Sequence, residues 1–114
     1  MINVFRSEPI DFGTMVTKEV IKEHTDYYEL IDCRTFDVVN VEWKGQAISL
    51  FVDDEGMMVS GNLGRMVEGY PQPLFGTIVV AGGVDNYGRT LSVPEEISIL
   101  DMSDFIGEVQ YVVK

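Results

Sequence analysis

Cysteine and histidine are nearly missing from this chain, cations are few, and no long apolar run occurs. Cys33 stands alone, so no internal disulfide forms and the fold must rest on a core rather than on covalent staples. His24 is the single histidine, which removes an imidazole cluster for zinc and leaves no Cys–His pair suggested by local sequence. No segment approaches the ~20 consecutive apolar residues of a spanning helix, and the start MINVFRSEP lacks the basic-then-apolar order of a secretion signal. These absences predict a soluble, cytoplasmic protein without a membrane partner. Eight Lys and Arg stand against nineteen Asp and Glu, a formal charge of −11, which repels phosphate backbones. Direct nucleic-acid binding is not expected.

What is present is enough for one core. The chain has 114 residues, 46% of them hydrophobic, which predicts a single acidic domain over residues 1–114. A chain of this size buries roughly two-thirds of its unfolded surface and needs no metal staple. No cofactor is expected.

Periodicity predicts an α+β fold. INVF, Ile2 to Phe5, reads as a strand, and Pro9 and Gly13 as loop punctuation. TKEVIKEHTDYYELI carries Val20, Ile21, His24, Tyr27 or Tyr28 and Ile31 near the helical period, which predicts an amphipathic helix capped by Thr17. RTFDVVNVEWKGQAISLFVDDEG alternates in two arms around Lys44 and Gly45, the pattern of a hairpin. MMV reads as a third short strand and SGNLGRMVEGYPQP as an irregular excursion. Ile78, Val79 and Val80 form the most strand-like run left. Ser103 is placed to cap a short C-terminal helix, DFIGE, ahead of a last strand, VQYVV. The expected architecture is a mainly antiparallel sheet of four to six strands with Trp43, Ile48, Leu50 and Val79 buried.

The candidate sites are few. AGGVDNYGRT, Ala81 to Thr90, nearly matches a phosphate loop, yet Pro94 follows four residues after Thr90 and disfavours the helix that the motif requires. Asp85 adds a negative charge inside the supposed cradle, and the stretch reads as a glycine-assisted turn with Asn86 and Gly88 at left-handed positions. Asp53, Asp54 and Glu55 lie side by side, whereas a calcium loop needs acids at alternate positions. Cys33 beside Arg34 is no more than weakly suggestive of an activated thiol. Met57, Met58, Met66 and Tyr70 with Phe75 read as core filling by flexible side chains, an adaptable binding surface being the alternative.

The run from DDEG through GNLGR to FGTIVVAGG resembles a family of small domains of unknown function from bacteriophages and integrative elements of Gram-positive bacteria. Asp54, Glu55, Gly56, Asn62, Arg65, Gly76 and Thr77 carry the resemblance, which spans Phe36 to Gly83. It implies an accessory protein of a mobile element and brings no catalytic residues with it.

The first expectation is therefore a non-enzymatic protein that covers a basic surface of a host or defence protein, for instance a CRISPR nuclease. Asp53, Asp54 and Glu55 are its expected contacts, with Glu95, Glu96, Asp101 and Asp104 as a second set. The alternative is a self-associating structural or regulatory module, a homodimer formed through an edge strand such as VQYVV. A small hydrolase or transferase stands last, for want of a nucleophile, base or metal set.

Overall fold

The computed structural model describes residues 1–11 and 13–114. Two hairpins supply four of the five strands in its larger sheet. β1 (Ile2–Ile10) and β2 (Gly13–Ile21) pair antiparallel from Ile2 opposite Ile21 to Ile10 opposite Gly13. After a short helix, α1 (Asp26–Ile31), β3 (Phe36–Trp43) and β4 (Gln46–Asp53) form the second hairpin. Its two-residue turn places Lys44 at φ 51° and Gly45 at φ 74°, the paired left-handed geometry that matches strand twist. A 3-10 turn (Gly56–Met58) leads to β5 (Leu63–Val67), β6 (Leu74–Phe75) and β7 (Ile78–Gly82). The chain then reaches a second 3-10 turn (Ile99–Asp101), α2 (Met102–Phe105) and β8 (Ile106–Val112).

The larger sheet runs in the order β2-β1-β7-β4-β3 and the smaller in the order β6-β5-β8, with every pairing antiparallel. β7 lies at the centre of the larger sheet and is buried along its whole length. Because successive strand residues point to opposite faces, Ile78 and Val80 join Phe5, Ile48, Leu50 and Val52 against Val67, Leu74, Phe105 and Ile106. Val79 and Ala81 turn the other way, packing with Val4, Ile21 and Phe51 against Tyr27 and Ile31 of α1. Tyr27 stacks on Phe51 with ring centroids 4.0 Å apart, and burial pushes its hydroxyl pKa up to about 12. Trp43, Ile48, Leu50 and Val79 are all buried, as expected from the sequence.

The amphipathic helix expected from Thr17 to Ile31 does not form. Thr17 lies in β2 opposite Arg6, and only Asp26–Ile31 is helical. Ile21 is 5% exposed while Val20 is 47% exposed, which is strand alternation rather than a helical stripe. The Asp26 carboxylate accepts hydrogen bonds from the backbone N–H of Lys22 (2.8 Å) and Glu23 (3.1 Å), closing the corner where strand becomes helix. Pro9 and Gly13 belong to β1 and β2, and the MMV segment holds a 3-10 turn rather than a strand. The excursion SGNLGRMVEGYPQP contains β5. At the C-terminus the short helix is Met102–Phe105, and the rest of DFIGE belongs to β8. Ser103 lies inside that helix rather than capping it, and Ser98 with Asp101 forms a capping box on the 3-10 turn before it. The α+β expectation is thus corrected to two packed antiparallel sheets with short helical turns at their corners.

Arg65 ties the sheets together. It projects from β5 and is fully buried, with Nη1 donating to Ser7 Oγ (2.7 Å) and Nη2 to the carbonyls of Ser7 (2.9 Å) and Gly76 (3.1 Å). Its Nε has no acceptor among the described residues. Desolvation without a carboxylate partner pulls its pKa down to about 10, which still leaves the guanidinium charged at neutral pH.

Two predictions follow from these contacts. Arg65→Met keeps the apolar stem but removes three hydrogen bonds, two of them to buried Ser7, and at ~1–3 kcal/mol per unmet group it should lower unfolding free energy by about 3 kcal/mol or more in urea. Equal or higher stability would show that the desolvation cost of the cation outweighs its bonds. The second concerns acid. Asp26 is held below the usual carboxylate range by the backbone N–H groups of Glu23 and Lys22, and Asp101 by the N–H of Ser98 and then by Lys44. Carboxylates depressed in the folded state add stability that is present above their unfolded pKa and is lost as pH falls through the folded one. The urea midpoint should therefore drop below about pH 4, and Asp26→Asn together with Asp101→Asn should flatten that drop.

Candidate functional site

The acidic residues marked by the sequence fall into two groups that the fold holds apart. Asp53 ends β4 and its carboxylate accepts the backbone N–H of Glu55 (2.8 Å). Glu55 clasps Arg34, with Nε at 3.2 Å from Oε1 and Nη2 at 2.6 Å from Oε2. Asp54 is exposed and carries no side-chain bond among the described residues. In the second group, Asp101 accepts from Lys44 Nζ (3.2 Å) and from the backbone N–H of Ser98 (2.8 Å), while Glu95, Glu96 and Asp104 are exposed. Lys44 forms the β3–β4 turn and Asp53 the opposite end of that hairpin. Strands of this length separate the groups by ~25 Å, at ~3.3 Å per residue. Asp53, Glu55 and Asp101 thus serve the fold's own corners, whereas Asp54, Glu95, Glu96 and Asp104 are free to meet a partner.

β3 itself carries charge of the same sign. Asp37, Val38, Asn40 and Glu42 are exposed on it. Along its Asp53 end runs a groove of about 300 Å³ in which Asp37 and Asp54 stand at the rim of an apolar lining that includes Val39, Met57, Met58 and Tyr70. Met57 and Met58 are 70% and 80% exposed, so they do not fill a core. Met66 lies apart, half-buried on β5. An adaptable apolar surface with an acidic rim is what these side chains make.

A second cleft of about 460 Å³ lies behind the acidic turn and holds Asp32, Cys33 and Arg34 with Asp53 and Glu55. Burial pushes the Cys33 thiol above its usual pKa, and the charges of Asp53 and Asp32 push it the same way. That is the opposite of what a thiolate nucleophile needs. His24 is exposed in the corner between β2 and α1. Among the described residues no three His, Cys, Asp or Glu side chains stand close enough to hold a metal ion.

The glycine-rich loop is a turn. Val84 and Thr90 form an isolated bridge, and the Asp85 carboxylate accepts the N–H groups of Tyr87 (2.8 Å) and Arg89 (2.9 Å) and the Arg89 Nε–H (2.8 Å). Gly88 has φ 79°, but Asn86 does not share the left-handed geometry expected of it. No helix begins after Thr90, since the next helical residue is Ile99. An acid therefore occupies the inside of the loop where a phosphate would sit.

The residues that sequence reading undervalued are Asn62, Arg65 and Gly76. The Asn62 amide donates from Nδ2 to the Gly56 carbonyl (2.8 Å), and a Cβ on Gly76, whose φ is +87°, would stand 3.3 Å from that same nitrogen. With Arg65 bonded to the Gly76 carbonyl, the motif residues form one structural joint beside the acidic turn. The family resemblance they carry was the available signal. ATP, GTP and inorganic phosphate at millimolar concentration should leave the melting temperature unchanged, because a ligand that binds the native state must raise it. A reproducible upward shift would restore the phosphate-loop reading.

No curated protein and no solved structure matches this chain. A family model does, over residues 2–107, well beyond the Phe36–Gly83 stretch that carries the sequence resemblance and including most of the C-terminal third. β1, the Arg65 joint and α2 all fall within it. The chain therefore belongs to the family described as DUF3846, a domain of unknown function.

Proposed function

We propose that this chain is a non-enzymatic binding domain whose acidic face covers a basic surface of a protein partner. The observation that carries the reading is the charge of −11 combined with its placement: Asp37 and Glu42 exposed along β3, Asp54 exposed past the end of β4 and Glu95 beside β1 and β2, with Lys44 and Arg34 engaged by Asp101 and Glu55. A face of one sign steers a partner of the other sign and selects against polyanions. The resemblance described above supports a role as an accessory protein of a phage or mobile element, acting in the host cytoplasm. Proteins that act on nucleic acid, a CRISPR nuclease among them, present the basic surfaces such a domain would occupy.

Binding should be fast at low salt and weaken as ionic strength rises, since the Debye length falls from ~30 Å at 0.01 M to ~10 Å at 0.1 M. Asp54→Asn, and Glu95→Gln with Glu96→Gln and Asp104→Asn, remove charges that make no bond within the fold. Measured by surface plasmon resonance against a partner recovered at low salt, at least one of these variants should slow association while both melt as the parent does. Retention of no basic protein at low salt would defeat the reading, as would unchanged association rates in both variants.

A further inference from the structure

Strand edges are where an antiparallel fold is open to another chain, and this fold treats its edges unequally. β2 carries Lys18, and its Gly13, Thr14 and Val16 face Ile106, Glu108 and Val109 of β8 across a cleft. β6 has two residues. β3 differs. It is eight residues long, pairs with β4 without a bulge from Phe36–Asp53 to Trp43–Gln46, and has no strand on its outer side among the described residues. Neither Pro nor Lys lies within it.

The hairpin's two-residue turn fixes which backbone groups face outward. Trp43 and Gln46 exchange hydrogen bonds beside the turn, so the alternation leaves the N–H and C=O groups of Val38, Asn40 and Glu42 on the open side. Consistent with this, the Val38 N–H is met by the side chain of its neighbour, donating to Asp37 Oδ1 at 2.9 Å. Gly69 closes the far end, where a Cβ would stand 3.3 Å from the Glu42 carbonyl oxygen. The open stretch is Phe36 to Val41, and the groove rimmed by Asp37 and Asp54 runs along it.

We propose that the outer edge of β3 takes up an extended, lysine- or arginine-bearing segment of a protein partner as an added strand. The inference rests on the basic-partner reading above and specifies its mode. Main-chain hydrogen bonds to Val38 and Asn40 hold the segment, while alternate side chains enter the groove against Val39, Met57 and Tyr70. Their aliphatic stems cover the methionines and their cationic ends reach Asp37 and Asp54. A second copy of this chain is disfavoured at the same edge. Either pairing, antiparallel or parallel, would join two edges that each carry Asp37 and Glu42 with no Lys or Arg in the strand, from chains of charge −11.

The probe is a peptide of about nine residues that alternates Lys with Val and Thr. It is compared with a Glu-for-Lys counterpart and with versions N-methylated at alternate residues in either of two phases. Titrated into isotope-labelled protein at low salt, the Lys peptide should shift the Val38, Val39 and Asn40 amides and slow hydrogen exchange at Asn40 about tenfold. One methylation phase should weaken binding about tenfold and the other should not, because an added strand uses one edge only. The Glu peptide should not bind. Val38→Pro, which removes an outward donor without touching the β4 ladder, should melt as the parent does and bind about tenfold more weakly. If the Lys peptide binds elsewhere, around Glu95, Glu96 and Asp104, with both methylation phases harmless, the edge inference fails and the basic-partner reading stands. If no Lys peptide binds at all, both fail. If the β3 amides shift with protein concentration alone and sedimentation shows a dimer, the edge belongs to a second copy and the proposal is overturned.

Discussion

One buried cation organises this fold. Arg65 reaches from the smaller sheet to Ser7 in the larger one and to the Gly76 carbonyl just before β7, bonding three acceptors of which two belong to the buried Ser7. The guanidinium is held by neutral oxygens rather than by a carboxylate, so its bonds are directional and leave little choice of register. Within the smaller sheet the packing around it is close. A Cβ on Gly64 would stand 2.5 Å from the Phe75 ring, so β5 approaches β6 only because the position carries none. Asn62 then binds the Gly56 carbonyl and sets the path from the acidic turn into β5.

β7 is the other constraint. A strand buried on both faces reads as a continuous apolar run, and Ile78 to Ala81 is one. The β3–β4 hairpin was equally legible, because alternation and the Lys44-Gly45 turn carry the same message. β2 was not. Val20, Ile21, His24, Tyr28 and Ile31 fit a helical period across what is in fact the end of a strand, a corner and the start of a short helix. The strand wins through its ladder with β1, a tertiary partner that local propensity cannot register. α1 survives only where Asp26 provides a start and Asp32, at φ 60°, an end. β5 was hidden for a different reason. Its glycines read as a breaker, yet Gly64 is there to admit Phe75.

The candidate surface was partly legible too. The acidic residues are evident from sequence, but their division of labour is not, because it depends on which carboxylates find an N–H or a cation nearby. Asp101 and Asp53 found them; Asp54, Glu95, Glu96 and Asp104 did not. Met57 and Met58 read as core filling because methionine commonly has that role, and the 3-10 turn instead holds them outward beside Tyr70. Met66 is separated from them by the change of direction between that turn and β5.

The charge itself explains why one edge can stay open. An eight-residue strand with exposed Val38 and an apolar groove beside it is the kind of surface that invites self-association. Natural edges are commonly blunted by a lysine, a proline or a bulge, and β3 has none of these. Its protection is electrostatic: two such edges would each bring Asp37 and Glu42, with no Lys or Arg in the strand, from chains already carrying −11. Carboxylates repel a second copy and leave the backbone groups available, whereas a proline would remove them. Repulsion between copies and attraction toward a basic strand are one property seen from two partners, and a neutral or lysine-bearing β3 would have neither.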